Sequence, residues 1–206
     1  MALNQLLTGQ QPVGADNAPV QMRGGRYGET IVSELQPRYY EHTKRKNKFS
    51  AANQAGQVTT VGLATTYTGL GIYNPVGSGV DVVIQKIGYA VPVAPAASMV
   101  VGIMVGSPGA NPTGLTTLTP KNDYLGQPAP LAVPFSAATI ATPTLQKVID
   151  LATAATITTA PKGCAGVVDI EGGIIVAPGS FLCIYTSTAS GAAGLFGSID
   201  WYENLI

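Results

Sequence analysis

Charged side chains are scarce in this chain of 206 residues, where they make up 11% of the sequence, against about 25% in an average soluble protein. Hydrophobic residues make up 46%. Charged residues are depleted where proteins meet one another. The composition therefore favours a protein that buries part of its surface in an assembly.

The chain also lacks a long uninterrupted apolar run. The best candidate, residues 89–109, is broken by Pro92 and Pro95, whereas a membrane-spanning helix needs about 20 apolar residues in sequence. The N-terminus has neither the basic start nor the apolar run of a signal peptide. We therefore expect no membrane association and an origin in the reducing interior of a cell.

Cysteine and histidine are too few for several kinds of chemistry. Cys164 and Cys183 are the two cysteines, and we expect buried free thiols rather than a disulfide or a reactive site. His42 is the single histidine, expected to be exposed and non-catalytic, and no Gly-x-Ser-x-Gly motif accompanies it. Transition-metal sites need several His or Cys ligands. We predict no enzyme activity, no metal and no cofactor.

Asp169 and Glu171 are the only carboxylate pair that suggests a site. They stand two apart on a predicted strand, so both would face the same side, where they could bind a cation or act as an acid–base pair. We favour a solvated strand face, with Val168, Ile170 and Ile174 pointing inward.

Charge is divided unevenly along the chain. Residues 1–48 hold seven basic and four acidic side chains, a net charge of +3, and the remainder holds four and seven, a net charge of −3. Residues 1–30 are rich in Gly, Gln, Asn and Pro and poor in the large apolar side chains that offset the entropy of ordering. We predict an extended N-terminal arm, 1–50, and a folded body, 51–206.

The body has the composition of β-strands. Runs rich in Val, Ile, Thr and aromatic residues are separated by turns such as "NPVGSG" and "APGS". About eight strands are predicted, including residues 145–158, and residues 117–144 are predicted to be a long loop with one edge strand. Trp201 and Tyr202 would lie on opposite faces, so that only one is in the core. We predict an all-β antiparallel β-sandwich of jelly-roll type; a fibronectin-like sandwich is the alternative.

The basic segment beside the predicted arm is the main candidate for a binding site. It combines cations with aromatic side chains, and we predict that the following residues contact a partner: Arg38, Tyr39, Tyr40, Lys44, Arg45, Lys46 and Lys48. Docking onto an acidic protein surface is the favoured interpretation, ahead of a solvated hinge. Phosphate contacts and base stacking form a third interpretation, but a single basic cluster argues against direct nucleic-acid binding.

A second class of function is a receptor- or carbohydrate-binding β-sandwich. Such sites gather exposed aromatic side chains on one face, and the candidates are Trp201, Tyr67, Tyr73 and Tyr185. A glycan hydrolase on the same fold would rely on Asp169 and Glu171. Nothing in the sequence brings the four aromatic side chains together.

From Leu35 to Ala90 the sequence resembles structural proteins of tailed bacteriophages. The similar pattern is an Arg-Tyr-Tyr-Glu entry, a basic run followed by Phe-x-Ala, a Thr-rich strand, Asn-Pro-x-Gly-Ser-Gly and an apolar strand. The resemblance implies a capsid decoration or cement protein with a jelly-roll body, made in the host cytoplasm and located on the capsid surface. Its partners would be the major capsid protein and copies of itself, a trimer being favoured. A minor head or tail component is the alternative.

Overall fold

Segments rich in β-branched residues form strands throughout the part of the chain that the computed structural model describes, which is residues 37–92, 94–109, 111–154, 164–191 and 194–206. Within these residues there are one short helix and twelve strands. Their bounds are α1 Tyr40–Lys44, β1 Lys48–Ala52, β2 Thr66–Tyr73, β3 Val80–Val91, β4 Met99–Gly106, β5 Thr113–Thr117, β6 Lys121–Asn122, β7 Val133–Thr139, β8 Thr144–Ala152, β9 Cys164–Asp169, β10 Ile175–Val176, β11 Phe181–Thr186 and β12 Phe196–Leu205.

The strands form two antiparallel sheets, as the sequence predicts. The first sheet has the order β10-β3-β12-β1-β6, with β9 also paired to β3, and the second has the order β5-β7-β2-β11-β4-β8. Eight of the strands have the order of a jelly roll: β1, β12, β3 and β9 lie side by side in one sheet, and β2, β11, β4 and β8 lie side by side in the other. The predicted β-sandwich is confirmed.

The remaining strands lie mainly between β4 and β8 in the chain. β5 and β7 extend the second sheet beyond β2, and β6 extends the first sheet beyond β1. The prediction of a loop with one edge strand over residues 117–144 is therefore wrong in two respects: the region contains two complete strands, β6 and β7, and β7 is flanked by β2 and β5. The predicted strand after Pro143 is confirmed over Thr144–Ala152, and residues 155–158 of it lie outside the described residues.

The two sheets bury a common core between them. Its largest fully buried side chains include Trp201, Leu70, Ile72, Ile84 and Ile103. A second cluster, containing Tyr73, Met104, Phe135, Phe181 and Cys183, forms separately from that core. Side chains alternate across a strand, and Ile72 and Leu182 belong to the core whereas Tyr73 and Phe181 do not. The second cluster therefore lies on the outer face of the second sheet.

Two predicted turns have the geometry that their sequences require. In "APGS" the amide of Ser180 donates to the carbonyl of Ala177 at 3.0 Å, and Gly179 has a φ of 83°, a left-handed value that glycine adopts without strain. The turn carries the chain from β10 in the first sheet to β11 in the second. In "NPVGSG" the buried Asn74 amide donates at 2.8 Å to the carbonyls of both Val80 and Val176.

Trp201 and Tyr202 lie on opposite faces of β12 and only Trp201 belongs to the core, as predicted, yet both are buried, at 0% and 6% exposure. Trp201 faces the core. Tyr202 faces the other way, but the His42 ring stacks on it with centroids 3.9 Å apart and planes 18° apart. Helix α1 thus covers the end of β12, and His42 is half-buried rather than exposed as predicted.

Both cysteines are free and buried, as predicted. Burial raises the pKa of the Cys183 thiol well above its ordinary value, and burial followed by the charge of Asp150 raises that of Cys164. Among the described helical residues there is no helix long and apolar enough to cross a membrane.

The compact unit that contains both sheets begins at Glu41 and ends at Ile206. Strand β1 starts at Lys48 and lies between β12 and β6. Residues 41–50, which were predicted to belong to the arm, are therefore part of this unit. The first 36 residues of the predicted arm lie outside the described residues.

Candidate functional site

The basic segment is shaped by the short helix α1 and the turn that follows it. The amide of Arg45 donates to the carbonyl of Glu41 and that of Lys46 to the carbonyl of Thr43, both at 2.9 Å. Lys46 has a φ of 65°, in the left-handed region where a helix commonly ends. The reversal lets β1 begin two residues later and leaves Lys44, Arg45 and Lys46 exposed in succession.

Tyr124 is the aromatic neighbour of this turn. The ammonium nitrogens of Lys44 and Lys46 lie 5.6 and 5.9 Å from the centroid of its ring, within the range of a cation–π contact. Tyr124 is 37% exposed. The guanidinium of Arg45 donates to Glu41 at 2.7 Å, and both side chains are well exposed. We call Lys44, Arg45, Lys46 and Tyr124 the basic turn.

The other predicted contact residues are placed differently. Arg38 and Tyr40 are exposed and Tyr39 is half-buried, with the Arg38 guanidinium 5.4 Å from the Tyr39 ring centroid. Lys48 is 7% exposed and forms an ion pair with Asp123, whose other carboxylate oxygen accepts a hydrogen bond from the Ser50 hydroxyl at 2.8 Å. The ion pair links β1 to the residue that follows β6, so the Lys48 charge is not exposed to a partner.

A row of polar side chains crosses the outer face of the first sheet next to this ion pair. Strand pairing places directly opposite one another, in order across five strands, Lys121, Ser50, Asp200, Lys86 and Asp169. Directly opposed residues share one face of a sheet. The ammonium of Lys86 lies 3.1 Å from the Asp169 carboxylate. We call these five residues the charged row.

Asp200 is the least solvated carboxylate of the charged row. Burial raises the pKa of Asp200; the charges of Lys48 and Lys86 act against this rise, and the charge of Asp123 adds to it. Asp200, Ser50 and Lys121 line a cleft of about 760 Å³ together with Thr117, Thr119 and Ser198. Hydroxyl groups and aliphatic side chains line most of the cleft, and its two charged lining residues are Lys121 and Asp200.

The carboxylate pair named from the sequence is not arranged as expected. Asp169 ends β9, but Glu171 lies in the turn after it, with a φ of 52°. The prediction that both stand on one strand is wrong, because the strand ends at Asp169. Val168 packs against the core and Ile170 and Ile174 are buried in it, as predicted. No group of three His, Cys, Asp or Glu side chains suited to a metal ion occurs within the part of the chain that is described.

Three of the four aromatic side chains considered for carbohydrate binding are buried. Trp201, Tyr67 and Tyr73 are 0%, 2% and 9% exposed, and Tyr185 alone is half-exposed. Tyr67 uses its hydroxyl inside the protein, where its one proton is shared between the carbonyls of Leu70 and Ile184, at 2.8 and 2.9 Å. These side chains do not form a platform for a sugar ring.

Comparison with known proteins found no relative of this chain. The chain matches no protein family, no curated protein and no solved structure.

Proposed function

We propose that this chain is a structural virion protein that binds the outer surface of a phage capsid and stabilises it by bridging neighbouring capsid subunits. It acts as a homo-oligomer, so that several weak contacts are made at once and their avidity exceeds the affinity of each. The resemblance of residues 35–90 to tailed-phage structural proteins is one support.

The observation that carries the proposal is the basic turn. Three consecutive cationic side chains stand exposed at the end of a β-sandwich, and the adjoining cation, Lys48, is held in the protein by Asp123. A surface with this charge is complementary to an acidic protein surface. The residues that do the binding in this proposal are Lys44, Arg45 and Lys46.

Localisation is tested by analysing particles from a lysate that produces this chain. Particles are purified on a density gradient, and mass spectrometry measures the ratio of this chain to the major capsid protein. A ratio near one copy per few capsid subunits is the expected result. A few copies per particle would assign the chain to a minor head or tail component instead, and absence from the particles would refute a role in the virion.

The role of the basic turn is tested by rebinding. Purified protein is added to particles that lack it, and Lys44→Glu is compared with Lys121→Glu, a matched charge reversal at another exposed lysine. The triple neutral variant of Lys44, Arg45 and Lys46 should bind about tenfold more weakly at low salt, since exposed ion pairs contribute roughly 0.5 kcal/mol each. The difference should shrink as salt is added. Equal binding by the two single variants would remove the basic turn from the interface.

A further inference from the structure

Strand β8 has an unusual distribution of polarity for the edge of a sheet. Leu145, Val148 and Leu151 are 40%, 66% and 54% exposed, whereas the two charged residues of the strand, Lys147 and Asp150, stand on its other face. Edge strands usually present charges to solvent as a protection against unwanted pairing. Here the exposed outer face of the strand is apolar.

Two irregularities in the pairing with β4 place the three apolar residues on one face. Leu145, Val148 and Leu151 pair with Met104, Gly102 and Val100. Those partners alternate with Val101 and Ile103, which point into the core. A spacing of three residues would normally alternate between faces, but the pairing shifts register once between each pair of apolar residues, as β-bulges do.

The apolar surface continues from β8 onto its neighbours. A Cβ atom built on Gly102 would lie 3.0 Å from Leu145 Cδ1 and 3.3 Å from Tyr185 Cδ1, so these two side chains approach each other over the glycine. Val100, next along β4, is half-buried. We call Val100, Leu145, Val148, Leu151 and Tyr185 the apolar strip.

The inward face of β8 is tied to the first sheet. The Tyr89 hydroxyl of β3 donates to the Asp150 carboxylate at 2.9 Å, and the second oxygen of Asp150 accepts from the amide of Leu151 at 2.7 Å. Both carboxylate oxygens of Asp150 are thereby hydrogen-bonded to groups of the same chain. Its apolar residues are left to face outward in a fixed position.

Charge decides which partner the apolar strip suits. The six strands of the second sheet contain two charged residues, Lys147 and Asp150, and neither lies on the outer face. A residue close to a symmetry axis meets copies of itself, so a charged group there would meet a like charge. The charged row of the first sheet would bring Asp200 and Lys86 to such a position, whereas the apolar strip carries no charge there.

We propose that the apolar strip of the second sheet is the contact between copies of this chain. The proposal rests on the homo-oligomer in the proposed function and assigns the surface that forms it. The strip is contiguous, uncharged and exposed in the single chain, which is typical of a surface that another protein covers. A copy of the same chain provides an equally uncharged surface around a closed axis.

The test compares two valines with the same exposure on the two sheets. Val148 on β8 is 66% exposed and Val167 on β9 is 67% exposed. The molar mass of the full chain is measured by size-exclusion chromatography with light scattering over a range of concentrations. Val148→Asp should raise the dissociation constant of the oligomer about a hundredfold or more, because an unpaired charge is costly in an apolar contact. Val167→Asp should leave it unchanged.

Other results would overturn the assignment. A full chain that is monomeric at every concentration, an oligomer that survives Val148→Asp, or one that dissociates with Val167→Asp would each do so. Because the mass is measured without particles, failure of capsid binding and failure of this contact are separate results.

A second measurement covers the case in which Val148→Asp does not fold, as judged by circular dichroism. Val148→Cys and Val167→Cys are treated with a short bifunctional maleimide, to which the buried native cysteines do not respond. Cross-linked chains should form with Val148→Cys only. Cross-linking of Val167→Cys alone, or of neither variant, would refute the contact.

Discussion

The two sheets share one interior but differ on their outer faces. The first sheet presents the charged row, in which Lys86 and Asp169 are paired across neighbouring strands. The outer face of the second sheet has no charged residue on its described strands. It is covered instead by aromatic rings that lie on glycines: Phe135 over Gly71 and Phe181 over Gly106.

The difference suits one sandwich to the two kinds of neighbour in the proposed function. Opposite charges in register across a sheet stabilise it modestly in water and keep that face soluble. An uncharged face gains stability only when its apolar surface is buried. The aromatic rings bury part of the outer face of the second sheet. The apolar strip stays exposed in a single chain. In the proposed function the basic turn meets the capsid and the second sheet meets other copies.

The largest expected effect contrasts glycines on the two outer faces. A Cβ on Gly106 would lie 2.1 Å from Cε1 of the buried Phe181 ring, so Gly106→Ala should lower the free energy of unfolding by about 2–3 kcal/mol. A Cβ on Gly88 of the first sheet would lie 2.4 Å from the Ser198 hydroxyl, which can rotate away. Gly88→Ala should therefore cost less than about 1 kcal/mol. Urea unfolding measures both, and equal losses would contradict the contrast.

An intermediate effect separates two ion pairs of the first sheet. Lys48→Met leaves the Asp123 carboxylate without its buried cation and should cost about 2 kcal/mol. Lys86→Met breaks a pair whose side chains are 33% and 53% exposed, and should cost about 0.5 kcal/mol or less. Thermal unfolding of both variants tests this order. The reverse order would mean that Lys48 is not fastened as the structure shows.

The smallest effect concerns Asp200 and pH. Its raised pKa means that the folded protein binds a proton more readily than the unfolded chain, so stability falls as pH rises from the ordinary value of 3.8 through the folded pKa. Asp200→Asn removes this cost. The variant should be more stable than the native chain at pH 7, and the advantage should disappear below that ordinary value. Chemical unfolding at pH 3, 5 and 7 measures it, with Asp81→Asn near the start of β3 as the matched carboxylate-to-amide control. A constant difference across this range would contradict the prediction.

The sequence was sufficient for the fold because its signals are local. Pro178 and Gly179 specify their turn, alternation predicts β11 and β12, and Val168 and Ile170 face as their spacing indicates. The short strands β5 and β6 were missed because neither has a hydrophobic pattern of its own. Lys121 and Asn122 are a strand only through their pairing with Ser50 and Phe49.

The candidate site was predicted only in part, because several of its contacts join residues that are far apart in the sequence. Exposure of Lys44, Arg45 and Lys46 follows from a dense run of charge, but the partner of Lys48 lies 75 residues away at Asp123. Tyr124 and the charged row depend on strand register, which residue spacing does not reveal. The exposure of Leu145, Val148 and Leu151 on one face depends on two bulges that no single-strand pattern predicts.

The free cysteines make the two sheets separately observable. Cys183 lies in β11, in the middle of the second sheet, and Cys164 starts β9 at the margin of the first. A buried thiol reacts with an alkylating reagent only after the surrounding structure opens, and a raised pKa slows the reaction further. The alkylation rate of each cysteine therefore reports how often the sheet around it opens. The native chain thus carries two intrinsic reporters, and their relative labelling rates would show which half of the sandwich loosens first.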